Sequence, residues 1–63
     1  MEERTVLRVR EAADYLGLSS RTLEDWRWRR KGPKYVKLGR AIAYRLVDLE
    51  AWLDKQTITV EVR

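Results

Sequence analysis

Residues 11–26 read EAADYLGLSSRTLEDW. Ala13 is small, Gly17 follows four positions later, and Leu18, Leu23 and Trp26 supply apolar bulk beyond it. On the N-terminal side, Val9, Ala12, Ala13 and Leu16 recur at helical spacing, so a short helix presents one small, apolar face. Gly17 readily takes the left-handed conformation that ends a helix abruptly, and Leu18 can then turn inward. Ser19 carries a hydroxyl suited to cap a second helix at its free N–H groups. That helix is expected over residues 20–30, with Leu23 and Trp26 inside and Thr22 beside them. Arg21, Glu24, Asp25 and Trp28 then point outward. The first helix starts with a poorer cap. Arg8 stands three positions before Glu11, where Ser or Thr would complete a capping box.

Outward from this stretch the signals change. Val6, Leu7 and Val9 form a short extended lead-in after a charged tail. Gly32 and Pro33 end the second helix. The runs YVKL (residues 35–38) and IAYR (residues 42–45) read as a β-hairpin. A three-residue loop over Gly39, Arg40 and Ala41 places Val36, Leu38, Ile42 and Tyr44 on one face. A two-residue turn splits that set, so the longer loop is expected. LVDLEAWLDK (residues 46–55) has Leu46, Leu49 and Leu53 on one side with Trp52 adjacent, a third amphipathic helix. Its acids, Asp48 and Glu50, come early and Lys55 late, as the helix dipole favours. Trp26 and Trp52 are expected in the core. TITVEVR (residues 57–63) alternates, with Ile58, Val60 and Val62 on one face. It reads as a strand, against residues 6–9 of its own chain or against a neighbouring copy, or else as a plain tail. The division is a domain at residues 1–56 and a tail or short strand at 57–63.

Composition narrows the chemistry. A 63-residue chain is one domain with a small core. It has no cysteine and no histidine, which removes disulfides, zinc thiolates and the commonest general base. Ser19 and Ser20 have no base to activate them. An enzyme is therefore not expected, nor a metal or cofactor. No apolar run nears the ~18 residues of a membrane span, and the charged start is unlike a secretion signal. A complete cytoplasmic protein is the expectation. The net charge is +4, and it is unevenly spread. Residues 21–45 carry nine Lys and Arg against two Asp and Glu, while both flanks are net acidic. Ten of the fourteen cations are Arg, suited to bidentate contact with phosphate and guanine. A basic centre of this kind is the electrostatic footprint of a nucleic-acid binder, whereas a solvated face is the plainer use.

Helix, glycine turn and second helix is the helix-turn-helix order. An αα-corner shares its geometry, and the basic second helix and hairpin favour DNA over it. The stretch from LRVREAADYLGLSS to DLEAWL resembles the excisionase-like winged helix-turn-helix domains, which include phage excisionases and AlpA-type regulators and are related to the MerR DNA-binding domain. The resemblance covers about residues 7–53 and rests on EAADYLGLS, TLEDW, Gly32-Pro33, KLGR (residues 37–40) and DLEAWL. It implies a mainly α fold of three short helices plus a β-hairpin wing. It also implies a recognition helix in the major groove and a wing tip at the adjacent minor groove. Two departures stand out. Arg8 replaces a frequent Thr or Ser, and Ala41 and Ala43 lie near positions where many members carry Arg.

Within that frame Ser19, Ser20, Arg21, Glu24, Asp25 and Trp28 belong to the recognition helix. Arg21, in its first turn, can bind guanine O6 and N7, contact phosphate, or pair with Glu24 or Asp25. Glu24 and Asp25 either accept from cytosine N4 or orient Arg21 and Arg29, and orientation is the preferred reading. Trp28 either meets a thymine methyl or sugar, or packs beneath the wing, and packing is preferred. Arg27, Arg29, Arg30, Lys31, Lys34, Lys37 and Arg45 are phosphate candidates. Gly39 and Arg40 form the wing tip, with Arg40 the candidate for a narrow minor groove. The partner is double-stranded DNA, together with an integrase and neighbouring copies on the DNA as candidate protein partners, and no membrane. The leading role is an excisionase, or recombination directionality factor, that binds beside an attachment site and assists integrase-mediated excision. The alternatives are a small promoter-binding regulator and an adaptor for an integrase or polymerase.

Overall fold

The chain forms β1 (Val6–Arg8), α1 (Val9–Leu16), α2 (Ser20–Trp28), β2 (Val36–Leu38), β3 (Ala41–Arg45) and α3 (Leu46–Gln56). This computed structural model describes residues 5–60. The extended lead-in is a true strand. It pairs antiparallel with β3, Leu7 opposite Tyr44, so the hairpin becomes a three-stranded sheet in the order β1-β3-β2. The Leu46 N–H donates to the Thr5 carbonyl at 2.8 Å, fastening the start of α3 to the segment before β1.

Leu7, Ala12, Ala13, Leu23, Tyr44 and Leu49 form the buried core. Val9, Leu16, Leu18, Trp26, Ile42 and Leu46 pack around it. Two fully buried alanines in succession let α1 lie close to its neighbours. At its end Gly17 has φ 74°; the Leu18 N–H reaches the Ala13 carbonyl (2.8 Å) and the Gly17 N–H the Asp14 carbonyl (3.1 Å). This is the paired Schellman pattern, and it turns Leu18 inward as expected. Ser19 Oγ then accepts from the Thr22 N–H at 3.2 Å and opens α2. The weak cap of α1 is partly compensated. The Glu11 carboxylate accepts the Arg8 N–H at 3.0 Å, the half of a capping box that needs no hydroxyl. The other half is missing because a guanidinium has no acceptor.

Several expectations are corrected. Helix α2 ends at Trp28, two residues short of the predicted Arg30. Arg30 itself adopts the left-handed conformation, φ 61°. Its N–H donates to the Arg27 carbonyl (3.1 Å) and that of Lys31 to the Trp26 carbonyl (2.8 Å), a second Schellman pattern that reverses the chain before Gly32-Pro33. The hairpin has the shorter loop. Leu38 stands opposite Ala41, leaving Gly39-Arg40 as a two-residue turn. The predicted apolar set is therefore split. Ile42 and Tyr44 share the Leu7 face, while Val36 and Leu38 lie across from Ala43 and Ala41. The one-sided pattern fails because β3 is the central strand and is buried on both faces, at Tyr44 and at Ala43. Leu38, near the tip, is 56% exposed.

Trp26 and Trp52 are half-buried partners at the rim rather than a sealed core, with ring centroids 5.4 Å apart and tilted by 49°. In α3, Leu49 is fully buried, Leu46 partly, and Leu53 reaches only the exposed edge. Of the alternatives for the tail, the intrachain strand is not formed over residues 57–60. Strand β1 pairs with β3 instead, and Ile58 is 82% exposed. Thr57 closes α3, with its Oγ1 donating to the Leu53 carbonyl at 2.9 Å, and the chain leaves extended. Val62 lies outside the described residues. Trp28 does not pack beneath the hairpin: it is 86% exposed, because the helical turn sets it opposite Leu23.

Candidate nucleic-acid interface

The inner face of α2 is consumed by Leu23 and Trp26, so its outer face is what a ligand meets. Arg21 and Trp28 are seven residues apart and lie within ~20° of each other around the helix, with Glu24 and Asp25 on either side. All four are exposed. Asp25 grips Arg29, Oδ2 to Nε 3.1 Å, which holds one guanidinium in place. Arg21 has no such tie. Among the described residues it is in no salt bridge, so it is not oriented by Glu24 or Asp25 and its donors are open. Ser19 is occupied as the cap, sharing a further 3.0 Å hydrogen bond with Thr22 Oγ1, and Ser20 is half-buried.

The cations do not form one uniform field. Arg29, Arg30, Lys31, Lys34, Lys37 and Arg40 are exposed, with Arg40 and Gly39 at the hairpin tip. Arg45 is exposed at the start of α3, 3.8 Å from Asp48. Arg27 behaves differently. Its guanidinium lies over the Tyr35 ring, 5.8 Å from the centroid, and its Nη1 is buried without a hydrogen-bond partner. Tyr35 in turn stacks at a tilt on Tyr44, centroids 6.2 Å apart. Burial pushes the Tyr44 phenol above its ordinary pKa, an effect the neighbouring Arg27 guanidinium opposes. Arg27 thus braces the loop before β2 against α2. Tyr35 was not singled out by the sequence. No spacing rule brings residue 35 over residue 27, because the pairing depends on the chain reversal at Arg30.

The braced loop and the end of α2 enclose an open concavity of about 950 Å³. Trp28 and Arg30 stand on its helix side, and Lys34 and Tyr35 on its loop side. Recognition helix, basic concavity and hairpin tip follow one another along the chain.

A family model of the helix-turn-helix domain matches residues 6–57. The chain belongs to this helix-turn-helix family. The match spans every helix and strand described, β1 and the hairpin included. As a helix-turn-helix domain the chain is a DNA-binding module, of a kind that is typically non-enzymatic. No curated protein matches it in a sequence comparison. Among the described residues of the domain, no group of three or more Asp or Glu is placed to hold a metal ion. No helix among them is long and apolar enough to cross a membrane.

Proposed function

We propose that this helix-turn-helix domain recognises duplex DNA in a sequence-dependent manner and serves as an excisionase. Helix α2 enters the major groove, Arg21 reads a guanine from its first turn, and Arg40 enters the neighbouring minor groove from the hairpin tip. The observation that carries the DNA contact is the untied guanidinium of Arg21 on the exposed face of a capped helix, beside the basic run of residues 27–45. Phosphates fall to Arg29, Arg30, Lys31, Lys34, Lys37 and Arg45. The excision role is supported by the likeness of EAADYLGLS, TLEDW and DLEAWL to excisionase-like domains. In that role copies bind neighbouring repeats, bend the DNA and assist an integrase. The alternating Ile58, Val60 and Val62 offer each copy a segment with which to touch the next.

Selection of bound duplexes from a random pool, followed by footprinting and a permuted-site bending assay, tests this. Directly repeated sites, filled by several copies with bending, are expected. A single palindromic site without bending assigns the domain to promoter control instead. No duplex selected at all removes DNA recognition.

A further inference from the structure

Arg27 holds a guanidinium nitrogen that is buried and, among the described residues, without a hydrogen-bond partner. Its neighbours Arg29, Arg30 and Lys31 are exposed. A buried, unpaired N–H is a cost that Leu or Met at the same place would avoid. What the guanidinium gains is position. It lies over the Tyr35 ring, 5.8 Å from the centroid, and beside the phenol of Tyr44, whose ring is tilted against that of Tyr35. Helix α2, the loop before β2 and the central strand β3 meet at this one side chain. The meeting matters because the two elements read as DNA contacts are otherwise loosely joined. Among the described elements, the backbone of α2 lies closely against α1 and makes no comparable approach to β2 or β3. Trp26 ties α2 through Trp52 to α3 rather than to the hairpin. Leu23 shares the core with Tyr44 and gives one pivot on the sheet side. Arg27 follows one helical turn later on the same face and supplies the second. Two points fix an axis where one permits rotation.

We infer that Arg27 is a positioning residue that sets the recognition helix relative to the hairpin tip and takes no phosphate, an inference that rests on the DNA-binding reading above. Arg21 in the major groove and Arg40 in the minor groove are two linked contacts. The second engages at an effective concentration set by the stiffness of the link between them. The clamp of Arg27 on Tyr35 and Tyr44 keeps that link stiff in the free protein, so less ordering is left to binding. Arginine suits the place better than lysine. A planar guanidinium stacks on a ring and is weakly hydrated, whereas an ammonium is compact and strongly hydrated.

The test uses the full chain, one duplex selected from a random pool, and a double-mutant cycle between Arg27→Met and Arg40→Ala. Arg27→Met is expected to weaken binding about ten-fold while Tm stays level or rises slightly, with the slope of log K against log salt unchanged. Arg40→Ala should then cost less in the Arg27→Met background than in the wild type, since a loosened tip contributes less. Tyr35→Leu should reproduce the binding loss and the coupling, and it carries the cycle if Arg27→Met fails to fold. Arg27→Lys, which keeps the charge, should recover little. In the free chain, residual dipolar couplings should show α2 more widely distributed relative to the hairpin in Arg27→Met and Tyr35→Leu. A slope shallower by ~1 in Arg27→Met, with recovery by Arg27→Lys, makes Arg27 a phosphate contact and overturns the inference. Strictly additive losses, or dipolar couplings that match the wild type, overturn it as well. If the wild-type chain binds no duplex, the DNA-binding reading itself falls, and the dipolar couplings still decide whether Arg27 sets the helix against the hairpin.

Discussion

Gly17 and Gly32 share a left-handed backbone, yet their surroundings differ. A Cβ at Gly17 meets nothing within 4 Å, whereas one at Gly32 comes 2.8 Å from Trp26 Cε3. Gly17→Ala should therefore cost only the conformational strain, ~1 kcal/mol, and Gly32→Ala ~2 kcal/mol or more, because the Trp26–Trp52 pair must shift. Urea denaturation of the two variants measures the difference, and equal losses would show that the Trp26 contact carries no weight. At the interface, Arg21→Ala should cost ~1–3 kcal/mol of discrimination between selected and shuffled duplexes. Arg40→Ala should weaken both together. If Arg21→Ala keeps the full selected-to-shuffled ratio, α2 is oriented differently on DNA.

Elements respond to their neighbours more than to their own pattern. Residues 57–63 alternate like a strand, but residues 57–60 meet no sheet edge and stay exposed. Deleting residues 58–63 should leave Tm within ~2 °C of the full chain, because Ile58 and Val60 contribute little burial. A large drop in Tm would reveal an intrachain role. Cooperative filling of adjacent sites, compared before and after the deletion, decides whether the tail joins copies. The hairpin teaches the same lesson. Its two-residue turn divides the apolar set between two faces, and β3 can bury both because β1, more than thirty residues away in sequence, pairs along its other edge. The hairpin's own residues carry no sign of that third strand.

Two properties belong to the whole molecule. With about five phosphates neutralised, log K should fall against log salt with a slope of roughly −4 to −5. Titration of a labelled duplex at several salt concentrations checks this, and a flat response removes the electrostatic basis of binding. Stability should also depend on alkaline pH. Burial raises the Tyr44 pKa above the ordinary value near 10, so the folded chain holds this proton longer than the unfolded one. The stability it contributes is whole below pH ~10 and is lost as pH rises beyond it through the folded pKa. Chemical denaturation at successive pH values should show the fall, accompanied by late phenolate absorbance. A profile that stays flat as the phenol ionises would contradict it.

Local periodicity and turn chemistry by themselves determined the two-helix unit, the hairpin, the third helix and the outward face of α2. Ala13, Gly17, Ser19 and Leu23 act over one or two helical turns, and such short-range rules are written into adjacent residues. The basic centre was equally legible, since charge needs no geometry to be counted. Tertiary structure decided the rest. The pairing of β1 with β3, the bracing of Arg27 on Tyr35 and the early end of α2 all depend on chain reversals and distant partners. Arg30 shows why most clearly. Nothing in an arginine's local preferences favours φ 61°, and only the contacts made on either side of the reversal hold it there.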